Sequence, residues 1–194
     1  NNNRWTSITY DTTNGDAAPS ARTSLTAAVY GDFMFVFGGT TNTNKLNDAH
    51  KLNLINNRWT SITYDTTNGG AAPSTRHALT SVIHVNYMIV FGGWDEVARK
   101  NDAHKLNLND NTWTSITYDT DNGDAAPSAR RSLTSVIHDD FMVVFGGDTG
   151  GNVYKNDAYK LKLPSLCNIP TTGSAAITSD CYLYSQIIVT GKLN

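Results

Sequence analysis

The string Trp-Thr-Ser-Ile-Thr-Tyr-Asp-Thr occurs three times, beginning at Trp5, Trp59 and Trp113, with a constant step of 54 residues. Other features keep the same step. The pairs Gly38-Gly39, Gly92-Gly93 and Gly146-Gly147 are in phase with it, as are Pro19/Arg22, Pro73/Arg76 and Pro127/Arg130. Asn47-Asp48 and Asn101-Asp102 follow, with Asn156-Asp157 displaced by one inserted residue. A period of this size means that one supersecondary unit is stacked on copies of itself, because a single unit cannot bury its own apolar face.

Within each unit the apolar period is that of strands, with turn residues between short runs. In the middle copy, residues 76–84 read as a first strand, Val85-Asn86 as a tight turn and 87–91 as a second strand ending on the glycine pair. Residues 94–100 form a loop that differs from copy to copy, 101–108 a third strand, and Trp113 to Tyr118 a fourth. Asn122-Gly123 and Pro127 mark the connection to the next unit. Four short antiparallel strands joined by turns make one all-β unit.

This pattern resembles the kelch repeat. The residues that carry the resemblance are the Pro-x-x-Arg approach, the apolar strand ending in Gly-Gly, the Asn-Asp start of the third strand and the tryptophan of the fourth. They span residues 1 to about 163. The resemblance implies a β-propeller with blades set radially around a channel and the first strand innermost. The tryptophans would then seal blade against blade, so Trp59→Ala is expected to cost about 3–5 kcal/mol. Arg22, Arg76 and Arg130, one per unit, are expected to hold an acidic residue or carbonyls of a neighbouring blade.

The blades fall at about 22–64, 76–118 and 130–163, with Trp5 to Tyr10 as a fourth strand belonging to a shared blade. Propellers generally need four to eight blades, so about three leave an incomplete ring. The missing part can come from adjoining segments of a longer chain, from head-to-tail association of copies, or from the tail, residues 164–194. That tail offers apolar runs at 175–178 and 182–189 but none of the repeat markers. The opening Asn-Asn-Asn without Met or a signal-peptide pattern is expected of a processed chain or a piece of a longer one.

Both cysteines, Cys167 and Cys181, lie in the tail and are a candidate disulfide pair, which would add about 3 kcal/mol by loop closure. Their confinement there points toward an extracellular or cell-surface location, with two free thiols in the cytoplasm as the alternative. The net charge of −2 gives no electrostatic footprint for nucleic acid or an anionic membrane. No apolar stretch approaches the ~20 residues of a spanning helix.

The repeats name no nucleophile–base pair, phosphate-cradling loop or paired carboxylates, so no catalytic residue and no cofactor are expected. His50 and His104 are mid-strand, while His84 and His138 end first strands, none with metal-ligand spacing. Kelch-like copper radical oxidases use a Tyr–Cys crosslink with two His ligands, and no cysteine lies within these blades. The loops at 11–16, 65–70 and 119–124 alternate acidic oxygens before a glycine, yet depart from calcium-loop register; solvated Asn-Gly turns explain the same residues.

The loops after each glycine pair diverge while the strands repeat. Residues 40–45, 94–100 and 148–155 would share one face, and near-identical strands carrying dissimilar loops suit a recognition surface. Trp94, Asp95, Glu96 and Arg99 combine an aromatic anchor with both charge signs and are the candidate partner-binding residues. The expected role is a non-catalytic protein-binding or assembly module, its partner another protein or copies of itself, with glycan binding open. The alternatives are a subunit that polymerises through open propeller edges and part of a carbohydrate-directed enzyme.

Overall fold

The computed structural model describes residues 3–13, 17–64, 72–118 and 125–164. The described strands are β1 (Thr26–Tyr30), β2 (Phe33–Phe37), β3 (Ala49–Asn53), β4 (Arg58–Ile62), β5 (Thr80–His84), β6 (Tyr87–Phe91), β7 (Ala103–Asn107), β8 (Trp113–Ile116), β9 (Thr134–His138), β10 (Phe141–Phe145) and β11 (Ala158–Lys162). They form three antiparallel meanders, β1-β2-β3-β4, β5-β6-β7-β8 and β9-β10-β11. Register repeats between blades: Leu52 faces Trp59 across β3/β4 and Leu106 faces Trp113 across β7/β8. The first two strands of each blade are joined by two-residue turns that place Gly31, Val85 and Asp139 at positive φ, where the twist of a hairpin favours it.

β1 packs beside β5 and β5 beside β9. Hydroxyls join these neighbours, Thr26 with Ser81 at 2.6 Å and Thr80 with Ser135 at 2.7 Å. The first strands are therefore the inner row of a radial arrangement whose ring is not closed. The second strands are apolar throughout; β6 has both faces covered by adjoining blades, while β2 and β10 each have an adjoining blade on one side. One core lies between the first and second blades, built on Phe35, Phe37, Leu79, Met88, Leu106 and Trp113. A second lies between the second and third, built on Val82, Ile89, Phe91, Met142, Val144 and Leu163.

Each fourth-strand tryptophan is met by the preceding outer segment. Tyr64 lies edge-on to Trp113 and Tyr10 edge-on to Trp59, both with ring centroids 5.8 Å apart at 76°. Tyr64 donates its hydroxyl to Asn47 O (2.8 Å), and Tyr118 does the same to Asn101 O (2.7 Å). Each tyrosine is thus tied to its own blade while its ring covers the next.

The glycine pairs are required by backbone approach. A Cβ on Gly38 would lie 2.8 Å from the Arg76 carbonyl, and one on Gly39 2.8 Å from the Thr23 carbonyl, with both residues at positive φ. The arginine backbone then staples the blades. Gly39 N donates to Arg76 O and Arg76 N to Leu46 O, a pairing repeated by Gly93, Arg130 and Lys100.

The arginine side chains serve their own blades, which corrects the expectation of a partner in the neighbouring one. Arg22 reaches Asp48 with both guanidinium nitrogens (2.6 and 2.9 Å) and donates to Gly38 O. Arg76 does so with Asp102 and Gly92 O, and Arg130 with Asp157 and Gly146 O. The Pro-x-x-Arg segment runs beside the blade's own glycine pair, so the fork passes beneath it to the start of the third strand, while only the backbone faces outward.

Trp5 to Tyr10, expected as a fourth strand, is not a strand in this structure. It rests against the first blade but forms no ladder with a sheet among the described residues, and a lone strand has none to hold it. Residues 165–194, with the candidate Cys167–Cys181 pair, lie outside the described residues, as do residues 14–16 of the first acidic loop and all of the other two. Of those loops Asp11 is described: its carboxylate accepts from Thr13 N and Oγ1 and lies 3.4 Å from Arg58.

Candidate functional site

The segments leading into each first strand and the loops after each glycine pair meet on one face. Isolated bridges join Thr23 to Thr40 and Thr40 to Lys45, His77 to Trp94 and Trp94 to Arg99, and Arg131 to Asp148 and Asp148 to Tyr154. Three corresponding positions per blade therefore form three small platforms above the glycine pairs. Their residue types differ from blade to blade, whereas the strands below hardly change.

Side chains link the platforms across blade boundaries. Trp94 lies between two cations from the adjoining blades, Lys45 Nζ at 5.3 Å and the Arg131 guanidinium at 4.9 Å from the ring centroid. His77 stands edge-on to it at 5.4 Å. Arg99 donates to Asp148 O (3.1 Å) and Oδ2 (3.0 Å), and Arg131 Nε to Asp148 Oδ2 (2.9 Å). These bonds and the Gly150 N–H hold the Asp148 carboxyl down at about 2. Burial and the charges of Lys45 and Arg131 lower the pKa of His77, so its neutral form is favoured beside them.

The four residues expected as partner contacts are brought to this face in different environments. Trp94 is half-buried in its cationic cage. Asp95 is buried and shapes the loop, accepting from Val97 N and Ala98 N at 2.8 Å and pairing with Lys100 at 2.5 Å. Burial alone would raise its pKa, but these bonds bring it to about 2. Arg99 is spent on the third blade. Glu96 is exposed, 3.7 Å from Lys45, and next to it Val97 projects with 89% exposure. Trp94, Glu96 and Val97 are thus members of the loop left open to solvent, while Asp95 and Arg99 set the loop's shape. Lys45, His77 and Arg131 complete the cluster and were not singled out by the sequence. Their signal was the repeat phase, which puts His77 and Arg131 on sites equivalent to position 23 and Lys45 on the site equivalent to Arg99.

One other constellation invites a chemical reading. His50 Nε2 bonds Asp48 Oδ2 (2.8 Å) while Ser61 Oγ lies 3.3 Å from His50 Nδ1, and Ser115, His104 and Asp102 repeat the arrangement. The connectivity is that of a serine relay, but each carboxylate is already forked by an arginine, and the third blade substitutes Tyr159, which lies under Arg130 at 5.4 Å. The arrangement pins the third strand to the fourth. Its sequence sign is Asp-Ala-His, whose alternate residues share one strand face. Among the described residues no group of three His, Cys, Asp or Glu side chains is placed to hold a metal, and no helix is long and apolar enough to cross a membrane.

Burial alone would raise the carboxyls of Asp48 and Asp102, but hydrogen bonds from His50 or His104 and from the arginines hold both well below the usual carboxylate range. Because the folded value is depressed, the stabilisation is complete above the unfolded value near 3.8 and is lost as pH falls below it. Thermal midpoints should therefore hold steady on acidification until about pH 4–5 and drop steeply below. The D48N/D102N protein should start lower and show a shallower acid slope, and an equal slope would refute the assignment.

A family model described as the KLHDC2/KLHL20/DRC7 Kelch-repeats domain matches residues 1–180. The chain belongs to the kelch-repeat family. It is similar to the Rho GTPase-activating protein gacHH of Dictyostelium discoideum, 32% identical over 142 residues that make up 65% of this chain and 9% of that protein. Kelch domain-containing protein 10 of Homo sapiens is 28% identical over 160 residues, 79% of this chain and 35% of that protein. Host cell factor homolog hcf-1 of Caenorhabditis elegans is 32% identical over 127 residues, 58% of this chain and 16% of that protein. The kelch chain thus spans about a third or less of the length of these relatives. Kelch repeats generally serve as protein-interaction modules.

Proposed function

We propose that this kelch chain is a non-catalytic protein-binding module that engages its partner with the loop face, centred on Trp94 and the Glu96-Val97 tip. The observation that carries the reading is the variable cluster of Trp94, Lys45, His77, Arg131 and Asp148 set on repeated strands. A half-buried tryptophan between fixed cations is a preorganised anchor. The half-exposed ring and projecting Val97 offer apolar contact, and Glu96 and Lys45 give a polar rim of both signs.

The test is quantitative capture of proteins from the source cells by the immobilised full chain, with three variants compared. W94A and V97D should lose at least tenfold of whatever the unaltered chain enriches. Ile55→Asp, on the opposite turn between β3 and β4, should retain it. Equal enrichment by all three would overturn the placement of the binding face.

A further inference from the structure

β11 has no fourth strand beside it among the described residues. A groove of about 490 Å3 runs along it, with Phe91, Tyr118, Met142, Val144 and Leu161 in its walls. The second blade shows what such a groove accommodates. There Trp113 sits opposite Leu106, with its ring 5.0 Å from Phe37 and 5.8 Å from Tyr64. Leu161, Phe91 and Tyr118 are the repeat equivalents of Leu106, Phe37 and Tyr64. The groove has the walls of a tryptophan site without the tryptophan.

The outer face of the third blade is open in the same sense. Phe37 and Phe91 are 0% and 3% exposed, whereas their equivalent Phe145 is 51% exposed. At the other end of the array Trp5 is fully exposed. It begins a segment identical over residues 5–10 to 59–64 and 113–118, which supply β4 and β8. That segment already sits on the first blade as an outer strand sits on the blade that follows it: Tyr10 meets Trp59 with the geometry of Tyr64 on Trp113, and Asp11 N donates to Asn57 O.

We propose that residues 5–10 of a second copy of this chain add antiparallel to β11 as the fourth strand of the third blade, placing their Trp5 in the groove. An exposed edge offers unpaired donors and acceptors, and strand addition reads its partner through alternate side-chain pockets. The occupant is the sequence that fills this position in the other two blades. Docking it also sets the second copy's first blade against the third blade of the first copy, covering Phe145 as Phe37 and Phe91 are covered. Arg22 of the second copy then meets Gly147 N and Lys155 O, repeating the staple that Arg76 makes with Gly39 and Leu46. One rung is not reproduced: Ala27 stands where Ser81 and Ser135 supply a hydroxyl to the inner row. The contact is head-to-tail, so copies close into a ring or extend, according to the rotation per chain.

Sedimentation velocity of the full chain over a wide concentration range should show association, weakened at least tenfold by Trp5→Ala, a substitution at a fully exposed side chain. Leu161→Asp puts a charge in the groove and should weaken association equally. Mixing the two variants restores one good contact between an intact groove and an intact strand, so a species of two chains should form and grow no further. A labelled peptide of residues 3–13 should bind the Trp5→Ala chain, and the same peptide carrying that substitution should not. This arm decides the matter even if Leu161→Asp fails to fold. A concentration-independent monomer of the intact chain that binds no peptide, or undiminished association of the Trp5→Ala chain, would overturn the proposal.

Discussion

Trp113→Ala should destabilise the protein by about 3–5 kcal/mol, the range for deleting a large aromatic from a packed core. Trp113 is buried at the seam of the first two blades, with Phe37 and Tyr64 from one and Leu106 and Met88 from the other. Its removal opens a cavity between two rigid sheets, neither of which can close on it without breaking the glycine–arginine staples. Trp59 has the same sequence context but less around it, chiefly Val36, Leu52, Leu25 and Met34 together with Tyr10. Trp59→Ala should therefore cost less than Trp113→Ala, although the two tryptophans sit in identical eight-residue strings. Denaturant midpoints of the two variants measured side by side check the order. Equal losses would show that the seam adds nothing to the blade's own packing.

That inequality marks where sequence stops informing structure. The second strand of the middle copy was legible to the residue, 87–91 as β6, and the 54-residue step carries it onto β2 and β10, because an apolar run between a tight turn and a glycine pair has no other place to end. First strands came out shorter than expected. Ala78 at positive φ breaks the extended run, so β5 begins at Thr80 rather than Arg76. Third strands begin at Ala103 rather than Asn101 because the Arg76 fork holds Asp102 at the sheet's rim. The loop face was legible from divergence between copies, but its contacts were not. Trp94 is gripped by Lys45 and Arg131 from two other blades, and linear spacing says which positions are equivalent without saying how far each side chain reaches. The same gap put the arginine's acid in the wrong blade.

The ion pair at each blade's rim gives the other large effect, and its two halves should not behave alike. Arg76 is 1% exposed while the Asp102 side chain is 42% exposed. Asp102→Ala leaves a guanidinium buried beneath the glycine pair with only the carbonyls of Gly92 and Ser74 and the Ser74 hydroxyl to hold it. Stranding a buried charge in this way costs about 3–5 kcal/mol. Arg76→Met removes the charge that is deep and leaves the one that water already reaches, with His104 still bonded to it at 2.9 Å. The loss should then be nearer the about 1–3 kcal/mol of hydrogen bonds unmade. The decisive comparison is the double variant. Arg76→Met combined with Asp102→Ala should be more stable than Asp102→Ala alone, because Arg76→Met removes the cation that Asp102→Ala leaves unpaired. Urea denaturation of the three proteins would show it. A double variant no more stable than Asp102→Ala alone would mean that the arginine acts through its packing under Gly92 and not through its charge.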